Sequence, residues 1–460
     1  MKMTLPVYAC LLIGASCVST ALAENQETYD QNWPQWRGPA GNGIVLHGNP
    51  PLEWSEEKNV KWKVKIDGKG HATPAIWGNK VFVLTAVASG KPAANAPQPQ
   101  SRQRDAGGSF GQRRRGGGRG GFGHGGGGPQ QEHTFKTICL DRESGKVLWE
   151  KIARKEVPHQ GIQSSNSFSS GSPVTDGERV YVSFGSYGLY CYDMNGNLIW
   201  NKDLGKVSVT FGEGSSPAVH GDSLVVVQDN NGDSYLYAFD KKTGKELWKK
   251  SRSERSGWTT PYFIERNGKV EVVVNGSNAV RSYDLKTGEE LWQCSGLGSN
   301  PVPTIVGNEK AVYAMSGHRN GAAIAIKLGG SGDLTGTSAV QWTITRGTPY
   351  VPSPLLYDNF LYFLQRTGSQ LSCVDPESGE FHYAQQRLEG ISGVYASPLG
   401  VADRVYLAGQ NGTTVVVEKS KELKILATNI LDDRLDASPA VVGNELFLRG
   451  HNFLYCISEN

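Results

Sequence analysis

The chain has 460 residues, with Gly 58, Trp 11, Met 4 and aromatics at 9%, and 47 Lys and Arg against 44 Asp and Glu. A formal charge of +3 implies no anionic partner by itself. The composition suits many short strands joined by tight turns rather than helices. No segment after the first residues reaches the roughly 20 apolar residues that span a bilayer.

In chain order, Lys2 precedes an apolar run from Leu5 to Val18, and Ala21-Leu22-Ala23 offers small residues where a signal peptidase reads them. Residues 1–23 are thus expected to be a signal peptide cut after Ala23, giving a periplasmic or secreted protein. A lipid anchor on Cys17 is the weaker alternative, because Gly14 stands where an aliphatic residue is preferred. Residues 24–59 follow as an N-terminal segment, with Asn32-Trp33-Pro34-Gln35-Trp36-Arg37 packing its tryptophans on the body.

Residues 60–460 are built by repetition. In the clearest unit, Val180, Val182 and Phe184 alternate with Tyr181 and Ser183, and Leu189 and Cys191 alternate with Tyr190 and Tyr192. Asn195-Gly196 turns the chain back toward Trp200. A proline after a small residue opens each unit, at Pro74, Pro173, Pro217, Pro261, Pro303, Pro354, Pro398 and Pro439. Trp149, Trp200, Trp248, Trp292 and Trp342 close five units, with Tyr383 and Leu426 at the matching place in two more. The period is that of a four-stranded blade. The expectation is an all-β, eight-bladed β-propeller, its last blade completed by the strand that carries Trp62.

The first blade carries an insertion, residues 88–132, rich in Gly, Pro, Gln and Arg. Such a segment buries too little apolar surface to offset its ordering entropy and is expected to be disordered. Its arginines, Arg102, Arg104, Arg113, Arg114, Arg115 and Arg119, make weak polyanion contact possible. A monomer is expected.

Cys139, Cys191, Cys373 and Cys456 occupy one repeat position that elsewhere holds Ala238, Ser282, Ala325 and Val416, so they read as buried small residues. Cys294 has no such explanation. Asp141, Asp193, Asp240, Asp284 and Asp375 read as turn acids accepting backbone N–H groups. No Cys-x-x-Cys or His-x-x-x-His spacing occurs, and no metal is expected.

Function is sought where the repeats differ. The segments before the opening prolines and between second and third strands emerge on one face. They bring His71, Asn166, Glu213, Trp258, Asn300, Tyr350, Arg366, Tyr395, Asp436 and His451 to a polar and aromatic funnel, the expected ligand or partner site. No catalytic set is discerned among them.

The Ser-Pro openers, Leu189-Tyr190-Cys191-Tyr192-Asp193, Thr243 to Trp248 and Trp33-Pro34 resemble the pyrroloquinoline-quinone-like (PQQ-like) repeat family. That resemblance implies either a non-enzymatic scaffold like the B subunit of the outer-membrane β-barrel assembly machinery, or a quinoprotein dehydrogenase. The dehydrogenases sandwich the quinone between a tryptophan and adjacent cysteines and hold Ca²⁺ with Glu and Asn beside an Asp base. This chain has no Cys-Cys pair, which leaves Glu213, Asn300 and Asp436 as imaginable ligands and Trp258 as the floor. The reading is a non-catalytic envelope binding or scaffold propeller without a cofactor, engaging an envelope protein or small polar ligand. PQQ with Ca²⁺ is one alternative, and a carbohydrate-binding or sensor propeller, stacking sugars on Trp258, Tyr350 and Tyr395, is the other.

Overall fold

The computed structural model of the protein describes residues 29–92 and 131–459. The expected signal peptide, Cys17 and all six insertion arginines lie outside the described residues.

Eight sheets follow one another along the chain, each a blade of four antiparallel strands, and blade 4 carries a short fifth, parallel strand at its outer edge. Blades 1 to 7 span residues 75–156, 174–202, 218–252, 262–294, 306–344, 355–387 and 399–430. Blade 8 takes three strands from residues 440–457 and its outermost from Val60–Lys65, which pairs antiparallel with Phe453–Ile457. The ring is closed by its own two ends, so neither leaves an unpaired edge there. In blade 1 the ladder continues to the pair Pro92↔Gln131, so strand reaches into both borders of the expected insertion.

Each aromatic closing position faces its small residue across the last strand pair. The partners are Cys139↔Trp149, Cys191↔Trp200, Ala238↔Trp248, Ser282↔Trp292, Ala325↔Trp342, Cys373↔Tyr383 and Cys456↔Trp62. The four cysteines are small because a ring lies opposite them, and all are buried free thiols. In blade 7 the matching residue is Ala427, opposite Val416, rather than Leu426.

The turn after each third strand explains why the same rings recur. Trp62, Trp149, Trp200, Trp248 and Trp342 donate their indole N–H to the carbonyls of Arg142, Met194, Lys241, Leu285 and Pro376, each belonging to the next blade. Those carbonyls follow the turn acids Asp141, Asp193, Asp240, Asp284 and Asp375, whose carboxylates accept backbone N–H bonds within the turn. The turn glycine is doubly required. Gly244 has φ +70°, and a Cβ there would lie 2.7 Å from the Trp200 ring. Blade 5 lacks this turn: residues 328–339 instead form a longer loop, whose Gly332–Asp333 pairs with Trp292 and Gln293 at the outer edge of blade 4. Trp292 correspondingly donates to Glu271 within its own blade.

At the axis the residues before the openers join into a belt. The N–H of Thr73 donates to Ser172 Oγ, and the chain continues through Ser216, Thr260, Thr304, Ser353, Ser397 and Ser438, each bond 2.9–3.1 Å. Thr73 Oγ1 closes it on the Ser438 carbonyl at 3.0 Å. Before Pro173, Pro217, Pro261, Pro354, Pro398 and Pro439 the small residue is therefore a hydroxyl that satisfies a buried N–H of the preceding blade. Blade 5 departs from the proline register, because its belt residue Thr304 follows Pro303 instead of preceding the opener. We expect Ser216→Ala, which strands the buried N–H of Ser172, to lower stability by about 1–3 kcal/mol in denaturant unfolding. A change within error would mean that the belt adds nothing to ring closure.

The segment before Val60 crosses the inner edges of the blades. Trp33 pairs with Ile76 of blade 1, Pro34 accepts from Thr175 of blade 2, and Val45 donates to Gly400 of blade 7. Trp33 is buried, and Trp54 is buried and stacks on Tyr406 at 6.2 Å. Arg37, also buried, donates to the carbonyls of Asn42 and Pro354, latching the segment to blade 6.

Candidate functional site

The belt hydroxyls Ser216, Thr260, Ser397 and Ser438 form the waist of an axial cavity of about 200 Å³. Trp36, from the N-terminal segment, supplies its floor, while Phe211, Trp258, Tyr350 and Tyr395 wall it from blade approaches. His71, Asn166 and Asp436 add polar groups. Trp36 thus brings the N-terminal segment into the lining of the cavity.

The aromatics are held before anything binds. Trp258 donates its indole N–H to the Gly212 carbonyl at 2.5 Å and stacks on Phe211 at 5.7 Å. Tyr350 stacks on His318 at 5.1 Å, and the Tyr395 hydroxyl donates to Ser165 Oγ at 3.3 Å. One face of Trp258 and one of Tyr350 are consequently already covered. Asn166 is fully committed to the loop, donating to the carbonyls of Phe211 and Glu213 and accepting from Ser167 N and Ser170 Oγ.

On the wall formed by blades 8 and 1, Asp436 is the centre of a polar cluster. Its Oδ2 lies 2.5 Å from His451 Nε2, 3.0 Å from Arg434 Nε and 3.6 Å from His71 Nε2, while Oδ1 accepts from Gln410 Nε2 at 2.5 Å. These partners hold the carboxyl well below the usual carboxylate range, outweighing the burial that opposes ionisation. Burial drives His71 the other way, down to about 3, so its ring is neutral near pH 7.

Of the ten residues expected at the funnel, His71, Asn166, Trp258, Tyr350, Tyr395 and Asp436 line the cavity, and His451 stands behind Asp436. The other three turn elsewhere. Glu213 turns its carboxylate into blade 2, where both oxygens accept the Ser186 N–H at 2.9 and 3.1 Å. Asn300 adopts φ +57° and approaches His318 Nδ1 at 3.3 Å. Arg366, exposed and at φ +52°, donates to the His318 carbonyl. Glu213 and Asn300 therefore do not converge with Asp436, and the residues do not fit the calcium site that the quinone alternative requires. Phe211 and Gln163 are cavity residues that the sequence reading did not single out. Phe211 was findable by its place six residues before Pro217, within a blade approach.

Asp229, in the loop between second and third strands of blade 3, illustrates how scaffold claims polar loop residues. It forms a buried two-point ion pair with Arg252 at 2.8 and 3.0 Å.

The family described as outer membrane protein assembly factor BamB matches residues 135–385, more than half of the chain. No curated protein matches. Among solved structures, a europium-containing methanol dehydrogenase is 10% identical and superposes with a TM-score of 0.57, covering 94% of this chain and 92% of that one. BamB from Moraxella catarrhalis is 13% identical over 70% of this chain and 91% of its own, with a TM-score of 0.46. A computationally designed protein, Ika8, is 13% identical over 72% and 93%, with a TM-score of 0.49. At these identities the similarity is one of fold.

Proposed function

This chain belongs to the family described as outer membrane protein assembly factor BamB, and from that premise we propose an exported, non-catalytic binding propeller of the cell envelope whose partner site is the axial cavity. The observation that carries the reading is the cavity itself: preformed, aromatic-walled, lined by Trp36 of the N-terminal segment and about 200 Å³ in volume. That is below the roughly 300–1,000 Å³ of common small-molecule sites. It suits one anchoring side chain of an envelope protein, with the polar loop rim contacting the flanking backbone.

The test has two arms. Tyr395→Arg would put a long charged chain into the cavity, and the captured envelope partner is expected to bind at least about tenfold more weakly, with unchanged melting. Titration with PQQ and Ca²⁺, followed by absorbance and dye-coupled alcohol oxidation, is expected to give no turnover. Saturable quinone binding with turnover would overturn the reading in favour of a dehydrogenase.

A further inference from the structure

We propose that His71, Asp436 and His451 form a binding site for a divalent transition metal of the zinc type in the wall of the axial cavity. His71 comes from the approach to blade 1, Asp436 from the approach to blade 8, and His451 from the loop between second and third strands of blade 8. The ring closure brings together residues from opposite ends of the chain, which explains why no local spacing announces the site.

Three observations carry the assignment. One donor atom from each residue lies within 4.8 Å of the other two, and two of the three edges are already 2.5 and 3.6 Å. Metal–ligand distances of about 2.0–2.2 Å place donors of a tetrahedral site about 3.3–3.5 Å apart, so loading needs adjustments near 1 Å. Second, His71 Nε2 is buried, has no hydrogen-bond partner and points at the Asp436 carboxylate, while the side chain is only 9% exposed. An imidazole nitrogen left without a partner costs free energy unless something occupies it. Third, the two imidazoles lie nearly parallel, 5.2 Å apart, and both present Nε2 to the same Oδ2.

Two nitrogens and one oxygen make a donor set for zinc-like ions rather than calcium. Gln410, donating to Oδ1, orients the carboxylate from behind. His451 would carry its proton on Nδ1, freeing Nε2 for the ion. The fourth position would face the cavity, which His71 and Asp436 line. Arg434 opposes a cation because its guanidinium donates to the same carboxylate, yet its side chain is 42% exposed and free to swing into solvent.

The site stands on its donor geometry and not on the partner reading, and is tested with metal alone. Full-length exported protein, stripped with chelator, should take up one Zn²⁺ per chain in equilibrium dialysis. With Co²⁺ it should give the intense visible absorption of a tetrahedral site. His71→Ala and His451→Ala should each weaken uptake by at least about 10–100-fold. Arg434→Gln should tighten it, an outcome that a purely structural hydrogen-bond cluster would not produce. If a histidine variant failed to fold, the Co²⁺ spectrum of the wild type and the Arg434→Gln response would decide. Absence of stoichiometric uptake by the wild type, or uptake untouched in both histidine variants, would overturn the assignment.

Discussion

Replacing Trp62 by alanine is expected to lower the stability of the whole ring by about 3–5 kcal/mol, read as a fall in the urea midpoint at constant slope. The side chain is 8% exposed, packs on Phe447 at 5.9 Å, and donates its indole N–H to the Arg142 carbonyl at 2.8 Å. It also covers Gly145, where a Cβ would lie 2.9 Å from the ring. Truncation would leave a cavity, an unpaired carbonyl and a weakened junction between blades 8 and 1 at the seam closed by the two ends of the chain. Leu247→Ala is the comparison, because Leu247 is 49% exposed on an outermost strand, and should stay within about 0.5 kcal/mol of wild type. Equal effects from the two substitutions would contradict the closure account.

Glu213→Gln is expected to stabilise the protein above pH 7 and to change it little near pH 4. Burial raises the Glu213 carboxyl from 4.5 to about 7, only partly offset by its bonds to Ser186. The folded chain therefore keeps a proton there that the unfolded chain releases over this range. Stability from that proton is complete below about pH 4.5 and is lost as pH rises through 7, a swing of about 3 kcal/mol. His71, lowered to about 3, contributes the opposite slope between that value and 6.5, since only the unfolded chain binds its proton there. The quantity to measure is thus the difference in unfolding free energy between wild type and variant at each pH, from which His71 cancels. A difference independent of pH would show that the Glu213 carboxyl titrates alike in the folded and unfolded chains.

Ring, blade number and terminal closure were all legible in the repeats, because every blade solves the same packing problem with the same residues. The cysteines could be read as packing residues by comparing Cys191 with Ala238 and Ala325; that a ring faces them required the cross-strand register. Pro303 misled by two positions, since blade 5 keeps the belt hydroxyl at Thr304 and not the proline that elsewhere follows it. At the funnel, sequence could not say which way a side chain turns. Glu213 and Asn166 sit on the same blade junction, yet one leaves the axis for the Ser186 N–H and the other remains at the cavity wall. The His71, Asp436 and His451 cluster was visible only as three separate loop residues, because its proximity is created by closure across the first and last blades.

On the proposed reading the axial cavity, rather than the outer rim, is where this propeller meets its partner. The direct measurement is site-specific photocrosslinking in intact cells, with the photoreactive side chain at Tyr395 in the cavity wall or at Leu247 on the exposed rim. A discrete crosslinked envelope protein from position 395, lost on competing with the partner's own segment and absent from position 247, is the predicted result. Crosslinks from the rim with none from the cavity would contradict it.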